Sequence, residues 1–128
     1  MTASHLMYVA LGGALGAIGR YSAMSAIGAV FGHGLPMGTL FVNVVGSFVL
    51  GVFVEVFALV WSPSPELRAM IVVGVLGAFT TFSTFSLDVV TLMTRGDHGQ
   101  AFLYVIASVV FSIGALWAGM TLTKLIMP

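Results

Sequence analysis

Apolar residues run along this chain in four long stretches, from about Leu6 to Phe31, Gly38 to Val60, Ala69 to Met93 and Ala101 to Ile126. Each reaches the roughly 20 residues that a helix needs to cross a hydrocarbon layer. The runs are continuous and do not alternate with polar positions, which excludes the strands of a membrane β-barrel. Breakers and charges gather between them, in Gly32–Pro36 (GHGLP), Ser62–Arg68 (SPSPELR) and Arg95–Gln100 (RGDHGQ). These connectors are short, so neighbouring helices are antiparallel. The pattern predicts an all-α membrane protein, residues 1–128 forming one domain of four transmembrane helices. Both termini then lie on one side (side A), and the first and third connectors on the other (side B).

Composition strengthens this reading. Charged residues make up 6% of the 128, against about 25% in an ordinary soluble domain. The fitting surroundings are a lipid bilayer. A formal net charge of zero argues against a nucleic-acid partner, which requires a basic face. Without cysteine, neither disulfides nor thiolate metal sites are available. Met1–His5 lacks the positive start of a signal peptide, so this segment is expected in the mature protein. Positive residues normally orient a membrane chain. Here Arg68 and Lys124 fall on side A, and Arg95 on side B with Arg20 if it leans that way. That balance predicts insertion both ways round, and an antiparallel dimer is one way to use it. Gly12 and Gly16 form a G-x-x-x-G pair, while Gly46/Gly51 and Gly114/Gly119 are spaced at five; all suit close helix packing. Four thin helices enclose little volume, which again predicts an oligomer.

Polar residues within the apolar runs fall at helical spacing. Thr39, Asn43 and Ser47 share one face of the second run; Tyr104, Ser108 and Ser112 share one face of the fourth. The third run contains Gly77–Ser86 (GAFTTFSTFS), in which Phe82 and Phe85 interleave with hydroxyl residues. At about 1.5 Å of rise per residue, the two stripes and the phenylalanine pair reach similar depths. Polar groups in a membrane face the bundle interior or a water-filled cavity, so these elements predict a narrow polar track. A single serine or threonine often bonds back to its own helix, and a phenylalanine pair often serves packing alone. Asn43 is harder to satisfy locally, because a primary amide carries two donors and an acceptor.

The track holds hydroxyls, an amide and aromatic edges without a carboxylate ring, the usual means of selecting cations. Donors of this kind suit an anion, and the positive edge of a phenyl ring can face a small one. Two glycines followed by β-branched threonines make a poor helix centre at Gly74–Thr81. A break near Gly77–Thr80 is expected; broken membrane helices offer freed carbonyls to ions. Arg20, well inside the first run, is expected either to snorkel to the interface, to pair with Asp88, or to draw anions into a side B vestibule. Glu55, Glu66, Arg68, Asp97 and Lys124 lie near helix ends and need only solvation. His5, His33 and His98 have no partners at metal-ligand spacing. No nucleophile–base pair or phosphate loop is present, which argues against an enzyme.

Gly12–Tyr21 (GGALGAIGRY), Gly38–Gly51 (GTLFVNVVGSFVLG) and Gly74–Asp88 (GVLGAFTTFSTFSLD) together resemble the Fluc (CrcB) family of fluoride ion channels. The resemblance covers essentially the whole chain. It implies an antiparallel, dual-topology homodimer in the bacterial plasma (inner) membrane, with two pores that export fluoride passively. By this likeness Phe82 and Phe85 line the pore, Asn43 coordinates the ion with Thr39 nearby, and Tyr104, Ser108 and Ser112 form the polar track. Arg20 lies near the vestibule. The Gly77 and Thr80 carbonyls of both subunits hold a structural Na⁺ at the dimer centre, and no organic cofactor is implied. The main rival is a small proton-coupled multidrug-type exporter, which needs a carboxylate deep in the membrane. A purely structural membrane subunit would leave the two polar stripes unused.

Overall fold

The structure is a computed structural model and describes residues 1–32 and 34–127. His33, to which the sequence assigns no site, lies outside the described residues. Among those described, every regular element is helical: α1 (Ala3–Phe31), α2 (Met37–Leu59), α3 (Pro65–Ala69), a π-helical stretch (Met70–Leu76), α4 (Gly77–Phe79), α5 (Phe82–Thr94) and α6 (His98–Ile126). Four segments are long and apolar enough to cross a membrane: α1, α2, Pro65–Thr94 and α6.

The helix ends follow local chemistry. Thr2 caps α1 by accepting from the His5 N–H at 3.3 Å, and Ser64 caps α3 through the Leu67 N–H at 3.2 Å, with Pro65 in the first turn. At the far end of α5, Gly96 adopts a left-handed φ of 84°. Its N–H bonds to the Met93 carbonyl and that of Asp97 to the Leu92 carbonyl. This is a Schellman stop, which glycine enters without the steric cost a Cβ would bring.

Glycines set how closely the helices approach. The Gly12–Gly16 pair of α1 seats against the π-helical stretch, where an added Cβ would strike the Met70 and Val75 carbonyls. Gly74 returns the contact, its Cβ position 2.9 Å from Gly12 Cα. The pair therefore packs one helix on another within the chain. Along the α2–α6 seam, Gly51 faces the Leu116 carbonyl and Gly119 faces the Phe48 carbonyl. Gly46 turns away from that seam, toward Thr80 and Phe79, and Gly114 meets open space. Glycines five apart therefore do not share a task. Gly119→Leu would drive a side chain into backbone that has no room to move. We expect it to destabilise the fold by at least about 1–3 kcal/mol, the usual cost of overpacking. A lowered unfolding temperature in detergent checks this, and Gly114→Leu should leave it unchanged.

Side chains at the membrane ends pair more than the sequence reading expects. Glu55 is buried, with 6% of its surface exposed, and Lys124 Nζ lies 3.6 Å from its carboxylate. Solvation alone is therefore not its environment: α2 and α6 hold it between them. His5 approaches Glu66 at 3.4 Å, and the Arg68 guanidinium stacks 4.7 Å from the Phe57 ring centroid. A small core of Phe85, Leu92, Ala101 and Tyr104 joins α5 to α6.

Candidate functional site

The site is built around the place where Pro65–Thr94 leaves helical form. α4 ends at Phe79; Thr80 (φ −89°, ψ 158°) and Thr81 (φ −154°, ψ 118°) are extended; α5 begins at Phe82. Before this point the π-helical stretch has already shifted the hydrogen-bond register, with the Gly77 N–H reaching the Val72 carbonyl five residues back. π turns of this kind are often found at functional sites.

Two extended residues inside an apolar span leave backbone donors and acceptors without helical partners, and neighbours must replace them. Asn43 replaces two at once. Its Oδ1 accepts from the Thr81 N–H at 2.7 Å, and its Nδ2–H donates to the Thr81 carbonyl at 3.0 Å. The amide thus completes Thr81 as a facing peptide would. Thr81 Oγ1 in turn caps α5 by accepting from the Thr84 N–H at 3.1 Å. Its hydroxyl also donates to Thr84 Oγ1 at 3.1 Å and lies 3.2 Å from Ser83 Oγ. The sequence reading does not single out Thr81. The available signal is a threonine three residues before Thr84 at a helix start, the spacing of an N-cap.

Most hydroxyls of the GAFTTFSTFS segment are satisfied locally. Thr80 Oγ1 bonds back to the Leu76 carbonyl at 3.0 Å, and Ser86 Oγ to the Phe82 carbonyl at 3.0 Å. Ser108 on α6 differs: its Oγ is buried and has no hydrogen-bond partner among the described residues. Such orphans are uncommon in folded proteins and ask for an explanation.

Ser108 borders a groove of about 290 Å³ that also takes in Asn43, Thr80, Phe82, Phe85 and Ser112. Ser47, the third member of the α2 stripe, lines it too. The Phe82 and Phe85 rings meet at a centroid distance of 5.4 Å and 47° between planes. Phe85 is buried, whereas Phe82 is 78% exposed. Among the described residues, no charged side chain lines the groove. The remaining expected residues lie around it. Tyr104 packs on Phe85 with ring centroids 5.3 Å apart. Thr39 is buried, 2% exposed, on α2. Gly77 opens α4, and Arg20 reaches that same short helix from α1.

Two contacts correct the sequence reading. Arg20 does not pair with Asp88: its Nε–H donates to the Ala78 carbonyl at 2.9 Å. Asp88 accepts from the Tyr104 hydroxyl at 2.9 Å. It also borders a second cavity, of about 230 Å³, together with Arg95 and the Leu35–Pro36 turn. The row Ser112, Ser108, Tyr104, Asp88 therefore leads from the groove toward the side B connectors. A carboxylate stands at its end, with a guanidinium beside the same cavity.

The chemistry of the groove is that of uncharged donors and phenyl rings. Comparison with known proteins matches the chain that builds it to a family. The family described as CrcB-like protein, Camphor Resistance (CrcB), matches residues 7–120. A protein of Rhodospirillum centenum is 50% identical over 119 residues, covering 93% of this chain and 94% of its own, and is called fluoride-specific ion channel FluC. A protein of the same description from Hahella chejuensis is 48% identical over 128 residues, covering 99% of this chain and 100% of its own. One from Nitrobacter winogradskyi is 46% identical over 121 residues, covering 94% of this chain and 96% of its own.

Proposed function

This chain belongs to the CrcB-like family, and from that premise we propose that it is a fluoride channel, carrying the ion passively through a membrane along the groove beside the helix break. The observation that carries the reading is the buried, unpartnered Ser108 hydroxyl on a groove free of charged side chains among the described residues. A donor kept without a protein partner suits an anion that comes and goes. The second Nδ2–H of Asn43, beyond the one given to Thr81, suits the same ion. Phe82 and Phe85 line the groove, and a phenyl ring turned edge-on would offer an anion its positive rim. The Ser112–Ser108–Tyr104 row continues the path.

A polar groove cannot face lipid, and an exposed Phe82 beside hydroxyls is an unfinished wall. A second copy of this chain, inserted the other way up, completes it; the near balance of cations at the span ends, Arg68 and Lys124 on one side and Arg95 on the other, supports that antiparallel pairing. In such a dimer the interruption at Thr80–Thr81 acts as a true break of the third membrane helix. A Na⁺ between the two breaks would be held by the Gly77 and Thr80 carbonyls. The donor chemistry fits: both are hard oxygen ligands. The Thr81 N–H, which a continuing helix would return to Gly77, goes to Asn43 instead. The ion would supply positive charge that joins the two breaks. The bacterial inner membrane is the place where such a channel would export fluoride.

The exporter alternative has less support. Its carrier would be a carboxylate free to take up and release protons near mid-membrane. Glu55 is buried but lies in the last turns of α2, paired with Lys124; Asp88 is held by Tyr104. The relatives point to fluoride.

The test is efflux from liposomes holding the purified protein. Fluoride-loaded vesicles should empty quickly once valinomycin and K⁺ relieve the charge imbalance, and should stall without the ionophore. Chloride-loaded vesicles should keep their content. Fluoride loss no faster than from protein-free vesicles, or loss that requires an imposed pH gradient, would overturn the channel reading.

A further inference from the structure

Arg20 makes one contact that the anion-attracting role does not require. Its Nε–H reaches across 58 residues of sequence to the Ala78 carbonyl at 2.9 Å. Ala78 sits in α4, immediately before the chain becomes extended. In an unbroken helix its carbonyl would accept from the N–H of Phe82, four residues on. The extended conformations of Thr80 and Thr81 carry Phe82 out of that line. Ala78 is only partly exposed, and a carbonyl left without a donor there carries a desolvation cost. The Arg20 Nε–H removes it.

The packing agrees. α1 presses closely on α4 one turn earlier, where a Cβ on Gly16 would lie 3.0 Å from that of Ala78. Gly19 lies beside the Phe79 ring, its Cβ position 3.5 Å away. The break is thus pinned from two sides, by Arg20 on its entry and by Asn43 on its exit. Directly after the break comes α5, with Phe82 and Phe85 in its first turn. The direction in which α5 leaves decides where both rings stand at the groove.

Resting on the channel reading, we propose that Arg20 is a positioning residue: its Nε–H, and not its positive charge, fixes the Ala78 carbonyl and so aims α5 and its two phenylalanines at the ion path. Two substitutions separate the donor from the charge. Glutamine carries an N–H at the side-chain position of the arginine Nε and has no charge. Lysine keeps the charge but has a methylene at that position.

Both variants are purified, checked for assembly by size exclusion, and compared with the wild type in the efflux assay. Arg20→Gln should stay within about twofold of wild-type fluoride flux, whereas Arg20→Lys should slow it roughly three- to tenfold, the range of one net hydrogen bond. Raising the salt concentration with an impermeant anion should leave the ratio of Arg20→Gln to wild type unchanged, since screening acts on charge. The opposite order, with lysine active and glutamine slow, would show that charge matters and overturn the proposal. So would equal behaviour of the two variants, fast or slow. If a variant does not assemble, the same order is read from the yield of folded protein: glutamine retained and lysine lost supports the role, and loss of glutamine overturns it. A wild type that passes no fluoride defeats the channel reading itself; a conducting wild type with the wrong order of variants defeats only this one.

Discussion

Replacing Asn43 by alanine should abolish measurable fluoride flux and lower the yield of folded protein together. The side chain serves Thr81 twice, accepting its N–H at 2.7 Å and donating to its carbonyl at 3.0 Å. Alanine leaves both backbone groups unpaired in a partly buried, apolar setting. At about 1–3 kcal/mol for each orphaned group, the loss is roughly 2–6 kcal/mol. That is a large share of the 5–15 kcal/mol or so that holds a typical domain together. The groove suffers as well, because Thr81 caps α5 and α5 carries Phe82 and Phe85. Asn43→Asp refines the result. A carboxylate can still accept the Thr81 N–H but has no hydrogen for the Thr81 carbonyl, and it sets a negative charge at the groove. Assembly should recover in part, with flux still absent. Thermal unfolding in detergent and liposome efflux measure the two effects separately. A folded, conducting Asn43→Ala would mean that the break is held by something other than this amide.

Asn43 also marks the boundary of what sequence can reveal. Its place on a polar face follows from Thr39 and Ser47 at four-residue spacing, and the structure puts it on the groove with Phe82, Phe85, Ser108 and Ser112. Helical periodicity reports which residues share a face. It does not report the atom at the far end of a hydrogen bond, and so the Thr81 backbone is invisible to it as a partner. Arg20 is misread for the same reason. A guanidinium seeks a carboxylate in any reading based on charge, yet here it meets the Ala78 carbonyl, just before the extended residues Thr80 and Thr81. Glu55 has the pattern of an end-of-helix carboxylate in need of water. Its partner Lys124 arrives from the last turn of α6, a tertiary event with no local signature. The four spans are legible because hydropathy alone decides them. The π-helical stretch at Met70–Leu76 is not, since its sequence of apolar residues and one glycine differs little from an ordinary membrane helix.

Ser108→Ala should move stability and conduction in opposite directions. The Ser108 Oγ is buried and has no partner among the described residues, so within the protein it is a small standing cost. Deleting it should leave stability unchanged or raise it by about 1 kcal/mol, because the orphaned group disappears and alanine fits the same space. Conduction should fall. A hydroxyl donating to an anion is worth about 1.5–3 kcal/mol, and losing that from an ion already stripped of water should slow fluoride by roughly ten- to a hundredfold. The neighbours cannot easily compensate. Tyr104, one turn toward side B, gives its hydrogen to Asp88, and Ser112 stands a turn away on the other side. A serine that serves the fold would behave differently, since its removal would cost stability and leave the flux of the surviving protein intact. The two measurements, unfolding temperature and efflux rate on one preparation, therefore distinguish a donor reserved for a passing ion from one that helix packing happened to bury.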